Sequence, residues 1–362
     1  MVVKGNVWHK LRKSKVNKKI LLVSHEMTYT GAPRSLLNMA LVLKKRNYQI
    51  TVWSLKSGSF ENEFLQNEIK VINVDNDWDE NQIKEFDIVI ANTIFCIHFA
   101  LRAQKYTNTV LFLREAHNIP ELLNMLGEKS ETLETVLNIA CVSEYAQKFI
   151  NQYYHIQNIC ILHNFVRDKY RYRLNVVKNN IIHFAVIGTV EMRKQQGNVI
   201  QAFKEMPLEL KKISMLHIIG KCPEWSKNYW SKFSILTERV LYHGEISDEK
   251  ERIKLYEEMN VLIISSIDEA CSLVALEGAM LGKAVILSNY VGAEYLSIDK
   301  KYIYDVNNIS QLTRKMCQLT SQRELLIEGN KMRRSYKKMA SEDCYQKEII
   351  RFLEWIENRR IL

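Results

Sequence analysis

From residue 20 onward the chain alternates short β-branched runs with longer helical stretches, and this alternation constrains its fold more than any other feature. ILLVS (20–24), ITVWSL (50–55), DIVIANT (87–93), TVLFLR (109–114) and NIACVS (138–143) read as one series of strands. IIHFAVIG (181–188), MLHIIG (215–220), VLYHG (240–244), VLIISS (261–266) and AVILS (284–288) read as a second. Strands separated by helical crossovers pair in parallel, so the expected fold class is α/β, two doubly wound Rossmann-like sheets in tandem. At 362 residues the chain is too long for one ordinary core and suits two. The expected division is a basic leader over 1–19, a first domain over 20–170, a second over 171–340 and a terminal helix over 341–362. The polar stretch VRDKYRYRLNVVKNN (166–180) marks the boundary, and with 4 Pro and 12 Gly in the chain no long flexible linker is expected. In KEIIRFLEWIENRR (347–360) Ile349, Leu353 and Ile356 recur at helical spacing. No repeat of solenoid period is present.

Composition narrows the function classes. With 47% hydrophobic and 25% charged residues the chain is that of a folded globular protein. Seven cysteines occur without a CxxC pair or an apolar signal segment ahead of them, which points to reduced thiols in a cytosol and away from a disulfide framework or a zinc site. No apolar run reaches the ~18 residues needed to span a bilayer, so a soluble or peripheral protein is expected. The formal charge of +10 suits nucleic acid, an anionic membrane surface or phosphorylated substrates. The basic segment VWHKLRKSKVNKK (7–19) is a candidate for an anionic leaflet, with a solvated leader as the alternative. No helix-turn-helix, RNP-like or zinc-finger pattern supports nucleic-acid binding.

The chemistry concentrates in SIDEACSLVALEGAMLGKAVILSNYVGAE, which follows the strand VLII (261–264). A helix is expected from Leu273 to Leu281, ending at Gly282, where a left-handed cap residue belongs. The unpaired N–H groups near Ser272, Leu273 and Val274 would face a phosphate. Glu269 and Glu277 cannot bind phosphate and are available to accept hydrogen bonds from hydroxyls. Phosphate with hydroxyls describes a sugar nucleotide. Upstream, Gly188 ends the first strand of the second series, and Arg193 and Lys194 follow it, placed to neutralise a diphosphate leaving group.

Glu, seven residues on Glu, then a small residue, Met and Gly-Lys-x-Val-Ile resembles the donor-site signature of retaining glycosyltransferases of family 4, which have the two-domain GT-B fold. The resemblance covers most of the chain and is strongest from Gly188 to Glu294, and it implies that the first domain is the acceptor domain and the second the nucleotide-sugar donor domain. It implies that Glu269 meets hydroxyls of the transferred sugar, that Glu277 meets the nucleotide ribose, and that Arg193 and Lys194 stabilise the departing diphosphate. It further implies that Gly31, in the loop after the first strand, lets backbone approach the donor phosphate and the acceptor, and that His117 reaches the transferred sugar, with Glu115 shaping the acceptor side. Backbone around Glu245 and Ile246 would read the base edge, and the last helix would cross back to the first domain. Two departures stand out: Ala270-Cys271-Ser272 replaces the usual Gly-Phe-Gly, and Gln195 replaces the glycine that commonly follows the lysine. Without an Asp-x-Asp loop, the cationic pair stands in for a divalent ion, and metal-independent transfer without a cofactor is expected.

The expected activity is transfer of a hexose-type sugar from a UDP- or GDP-sugar to a glycan or lipid-linked acceptor in bacterial surface-polysaccharide synthesis. The expected setting is the cytoplasm, peripheral to the inner membrane. Three alternatives stay open at this stage: an inactive GT-B partner subunit of another transferase, a sugar-nucleotide epimerase, and a basic nucleic-acid-binding module.

Overall fold

The computed structural model describes residues 18–74, 78–168, 172–233, 238–246, 248–296 and 298–359. The expected membrane-seeking leader up to residue 17 lies outside them. Among the described residues there are thirteen strands: β1 Lys19–Ser24, β2 Gln49–Ser54, β3 Val71–Asn73, β4 Ile88–Asn92, β5 Asn108–Leu113, β6 Ile139–Cys141, β7 Ile159–Ile161, β8 Ile182–Ile187, β9 Ser214–Ile219, β10 Val240–Tyr242, β11 Val261–Ile264, β12 Ala284–Ser288 and β13 Ile303–Tyr304. They form a seven-stranded sheet in the order β3-β2-β1-β4-β5-β6-β7 and a six-stranded sheet in the order β10-β9-β8-β11-β12-β13.

The sequence pattern explains the pairing. Ile20, Leu21, Leu22 and Val23 of β1 are fully buried, as are all four residues of β11 to within 5%. Strands apolar on both faces need helices on both sides, which parallel crossovers supply. In register, Ile20 lies opposite Ile50 and Ile88, while Val261 lies opposite Ala284 and Phe184. β3, β7 and β13, of three, three and two residues, escape the sequence reading because so short a run carries no periodicity. All seven cysteines are free thiols. Among the described residues no helix is long and apolar enough to cross a membrane.

The chain divides into two compact units, Met1–Leu111 with Ile356–Leu362, and Phe112–Trp355. This division falls within β5, whereas the change from one sheet to the other falls between Ile161 and Ile182. Within the unit that opens the chain, Lys18 pairs with Glu357 at the end of the helix Glu342–Glu357. Gly31 is corrected from a loop position: it is the first residue of the helix Gly31–Lys45, which opens after the extended Thr30. Pro33 falls in the first turn, where its missing N–H has no intrahelical partner to lose.

Candidate active site

The order of the second sheet reverses between β8 and β11, and loops that diverge at such a point leave a crevice at the carboxyl ends of the strands. The loop after β8 carries Arg193 and Lys194, and the loop after β11 carries Asp268 and Glu269. Lys194 Nζ lies 2.7 Å from Glu269 Oε2, which also accepts from Ser266 Oγ at 2.6 Å. The two side chains retain only 17% and 13% of their exposure. Burial would raise the Glu269 carboxyl, but the Lys194 charge and the two hydrogen bonds outweigh it and hold it below the usual carboxylate range. Glu269 is therefore ionised at neutral pH, able to accept hydrogen bonds from hydroxyls and unable to donate a proton.

The backbone locks this pair in place. Ser265 Oγ donates to Lys194 O at 2.5 Å, and Ile267 N donates to Arg193 O at 2.9 Å. The Arg193 guanidinium donates to Asp268 O at 2.8 Å and to Glu191 Oε1 at 2.6 Å. Lys194 closes a short 3-10 turn, Met192–Lys194, after which Gln195 adopts φ 52 and ψ 36. That left-handed conformation explains why a glycine commonly stands there: glycine has no Cβ to crowd the following carbonyl. Just after β8, Gly188 has φ 140, and a Cβ on Gly220 would lie 1.9 Å from Gly188 O. Gly220 N in turn donates to Gly244 O at 2.8 Å, so the ends of β8, β9 and β10 pack backbone against backbone.

The helix Leu273–Leu281 forms as read from the sequence, with Ser272 as N-cap accepting from Ala275 N and Gly282 at φ 68. Its Leu273 and Val274 N–H groups belong to the first turn, which has no intrahelical acceptors. A narrow cleft at its start is lined by Ile187, Lys194, Ser265, Ser266, Glu269 and Ser272. Glu277, further along the helix, accepts from Tyr256 Oη at 2.6 Å. Within the Ala270-Cys271-Ser272 stretch, the backbone Ala270 O accepts from Ser143 Oγ at 2.5 Å, and Cys271 Sγ lies 3.4 Å from Tyr295 Oη.

Asp268 lies outside the glutamate spacing of the motif. Its carboxylate accepts from His117 N at 3.3 Å and Asn118 N at 3.1 Å. The His117 ring lies 4.3 Å from Phe149, 5.5 Å from Tyr145 and 5.7 Å from Tyr290. The dipeptide Asp268-Glu269 thus holds the His117 backbone with one residue and Lys194 with the next. Burial raises the Asp268 carboxyl, only partly offset by these two N–H donors.

Glu245 and Ile246 follow Gly244, whose carbonyl accepts from Gly220 N. Glu245 is exposed and 3.9 Å from Lys221 Nζ, and Ile246 packs partly buried against the core. Gly31 lies in the other unit. Among the described residues no group of three or more His, Cys, Asp or Glu side chains is arranged to hold a metal ion.

Two family descriptions match the chain: "Glycosyl transferases group 1" over residues 167–343 and "Glycosyl-transferase family 4" over residues 16–149. No curated protein matches it. Among solved structures it is similar to Alr3699/HepE of Anabaena in complex with UDP and glucose, at 16% identity and a TM-score of 0.78, covering 93% of this chain and 99% of that one. It is also similar to the lipopolysaccharide outer core galactosyltransferase WaaB, at 15% identity and a TM-score of 0.71, covering 94% and 100%. The sucrose-phosphate synthase of Thermosynechococcus elongatus matches at 12% identity and a TM-score of 0.74, covering 95% and 100%.

Proposed function

Because the chain belongs to the family 4 glycosyltransferases, with their two-sheet GT-B fold, we propose that it moves a hexose from a nucleoside diphosphate sugar to a glycan or lipid-linked acceptor, with retention and without a metal. The observation that carries this reading is the Lys194–Glu269 pair at the switch point of the second sheet, beside the first turn of the helix Leu273–Leu281. Phosphate oxygens suit the cation and the helix N-terminus, and sugar hydroxyls suit the ionised carboxylate. HepE, which shares the fold, was solved with UDP and glucose.

In this reading Lys194, Arg193 and the Leu273 and Val274 N–H groups take up charge as the bond from the anomeric carbon to the diphosphate oxygen breaks, its electron pair leaving with the diphosphate. The acceptor oxygen bonds to the same carbon on the same face, and its proton passes to a diphosphate oxygen. Glu269 holds hydroxyls of the sugar, Glu277 those of the ribose, and His117 meets the sugar beside Glu269. Cell-surface polysaccharide synthesis at the cytoplasmic face of a membrane is the setting we propose.

The test is a panel of UDP- and GDP-sugars, read by thermal shift and by diphosphate release in water. At least one should raise the melting temperature and be slowly hydrolysed, with EDTA changing neither. No effect from any donor overturns the reading. Activity abolished by EDTA and restored by a divalent ion overturns metal independence alone.

A further inference from the structure

The helix Leu273–Leu281 reads LVALEGAML, so Glu277 is its one polar side chain. This helix is pressed onto the second sheet: Ala275, Leu276, Gly278 and Ala279 are buried, and a Cβ on Gly278 would lie 2.7 Å from Leu262 Cδ1 of β11. A carboxylate on so apolar a helix costs free energy unless it is hydrogen-bonded. Its partner comes from another element. Tyr256, 5% exposed in the helix Glu249–Glu258, donates its hydroxyl to Glu277 Oε2 at 2.6 Å.

The helix that carries Tyr256 reads EKERIKLYEE and is mostly charged, and Leu255 and Tyr256 are the residues through which it packs into the core of the second sheet. A phenylalanine would anchor the helix as well; the hydroxyl adds the bond to Glu277. Glu277 stands four residues beyond Leu273, on the same helix face and about 6 Å further along the axis. Helical side chains lean toward the N-terminus, so the carboxylate is carried back toward the first-turn N–H groups of Leu273 and Val274. A nucleoside diphosphate holds its ribose hydroxyls at a comparable remove from its phosphates.

A carboxylate can accept about four hydrogen bonds, so one from Tyr256 fixes its orientation and leaves capacity for hydroxyls. Held in this way, it cannot turn to water when a ligand hydroxyl is missing, and a site so built rejects the analogue that lacks the hydroxyl. We propose that Tyr256 is the positioning residue of the ribose-binding carboxylate and makes the site select ribonucleoside over deoxyribonucleoside diphosphates; the assignment of Glu277 to the ribose rests on the transferase reading above.

Calorimetric titration of the intact chain with UDP and GDP, each beside its 2′,3′-dideoxy form, tests this. The wild type should bind the dideoxy form of its preferred nucleotide at least about 30-fold more weakly than the full nucleotide. Tyr256→Phe keeps the ring and its packing. It should bind the full nucleotide about tenfold more weakly and the dideoxy form within about twofold of the wild type, so that the preference for hydroxyls collapses. Glu277→Gln should lose the same preference, and adding Tyr256→Phe to it should change neither affinity by more than about twofold, because the hydroxyl acts through the carboxylate. A merely structural tyrosine would weaken both forms equally when replaced. That result, or a wild type that binds both forms alike, overturns the role of Tyr256 and leaves the donor site standing. A wild type that binds none of the four nucleotides overturns both.

Discussion

Lys194 and Glu269 are two halves of one buried pair, so neither can be removed alone at small cost. Lys194→Met leaves an uncompensated carboxylate and should lose about 3 kcal/mol in urea denaturation. Lys194→Met with Glu269→Gln should recover most of that stability but none of the donor cleavage, which should stay about 100-fold down in both. Full activity in the double variant would remove the pair from the chemistry. Next to it, Gln195 sits in the left-handed region at φ 52 with its side chain bonded to Met192 O at 2.7 Å. Gln195→Gly relieves the backbone and gives up that bond, and the net effect should be a stabilisation of about 0.5 kcal/mol by denaturant midpoint.

Among elements, the loop after β11 couples what the loops after β5 and β8 carry. Asp268→Ala should release the two N–H groups at His117 and Asn118, lowering the rate of donor cleavage about tenfold while nucleotide affinity stays unchanged; an unchanged rate would show that His117 needs no such support. Elsewhere in the same unit His163 lies 3.1 Å from Glu144 and 3.4 Å from Glu348 of the terminal helix. Burial would lower its pKa, yet the two carboxylates raise it to about 9. A pKa raised above the unfolded value of about 6.5 gives stability that is complete below pH 6.5 and lost as pH rises through 9. Lys283, lowered by burial to about 8, acts in the opposite sense above that pH, so the contribution is isolated by difference. The wild type should lose on the order of 2 kcal/mol more than His163→Gln between pH 6.5 and 9, measured by urea midpoints. Below pH 6.5 the trend reverses, because His183, His217 and His243 form a hydrogen-bonded row at 2.9 and 2.8 Å, and burial holds each below its usual range.

At the scale of the molecule, the long strands and the helix Leu273–Leu281 were legible because each is an apolar run with a recognisable stop. Gly282 could be read as a left-handed cap from its residue type alone. Thr93 could not, since nothing in a threonine announces φ 83, and its strain exists only through the sheet that surrounds it. Asp268 is silent in the sequence for a related reason: its partners are backbone N–H groups more than 140 residues away in the chain, which leave no mark in residue types. Glu269 and Glu277 were visible as a spaced pair, but only the geometry shows that Lys194 keeps the first ionised and that Tyr256 engages the second.

The central claim is that the switch point of the second sheet holds a nucleoside diphosphate sugar. Calorimetric titration of the intact chain with UDP and with GDP tests it most directly, repeated on Glu277→Ala with the tighter nucleotide. The account predicts saturable binding of one nucleotide by the wild type and at least tenfold weaker binding by the variant. Equal affinities, or no binding of either nucleotide, would contradict it.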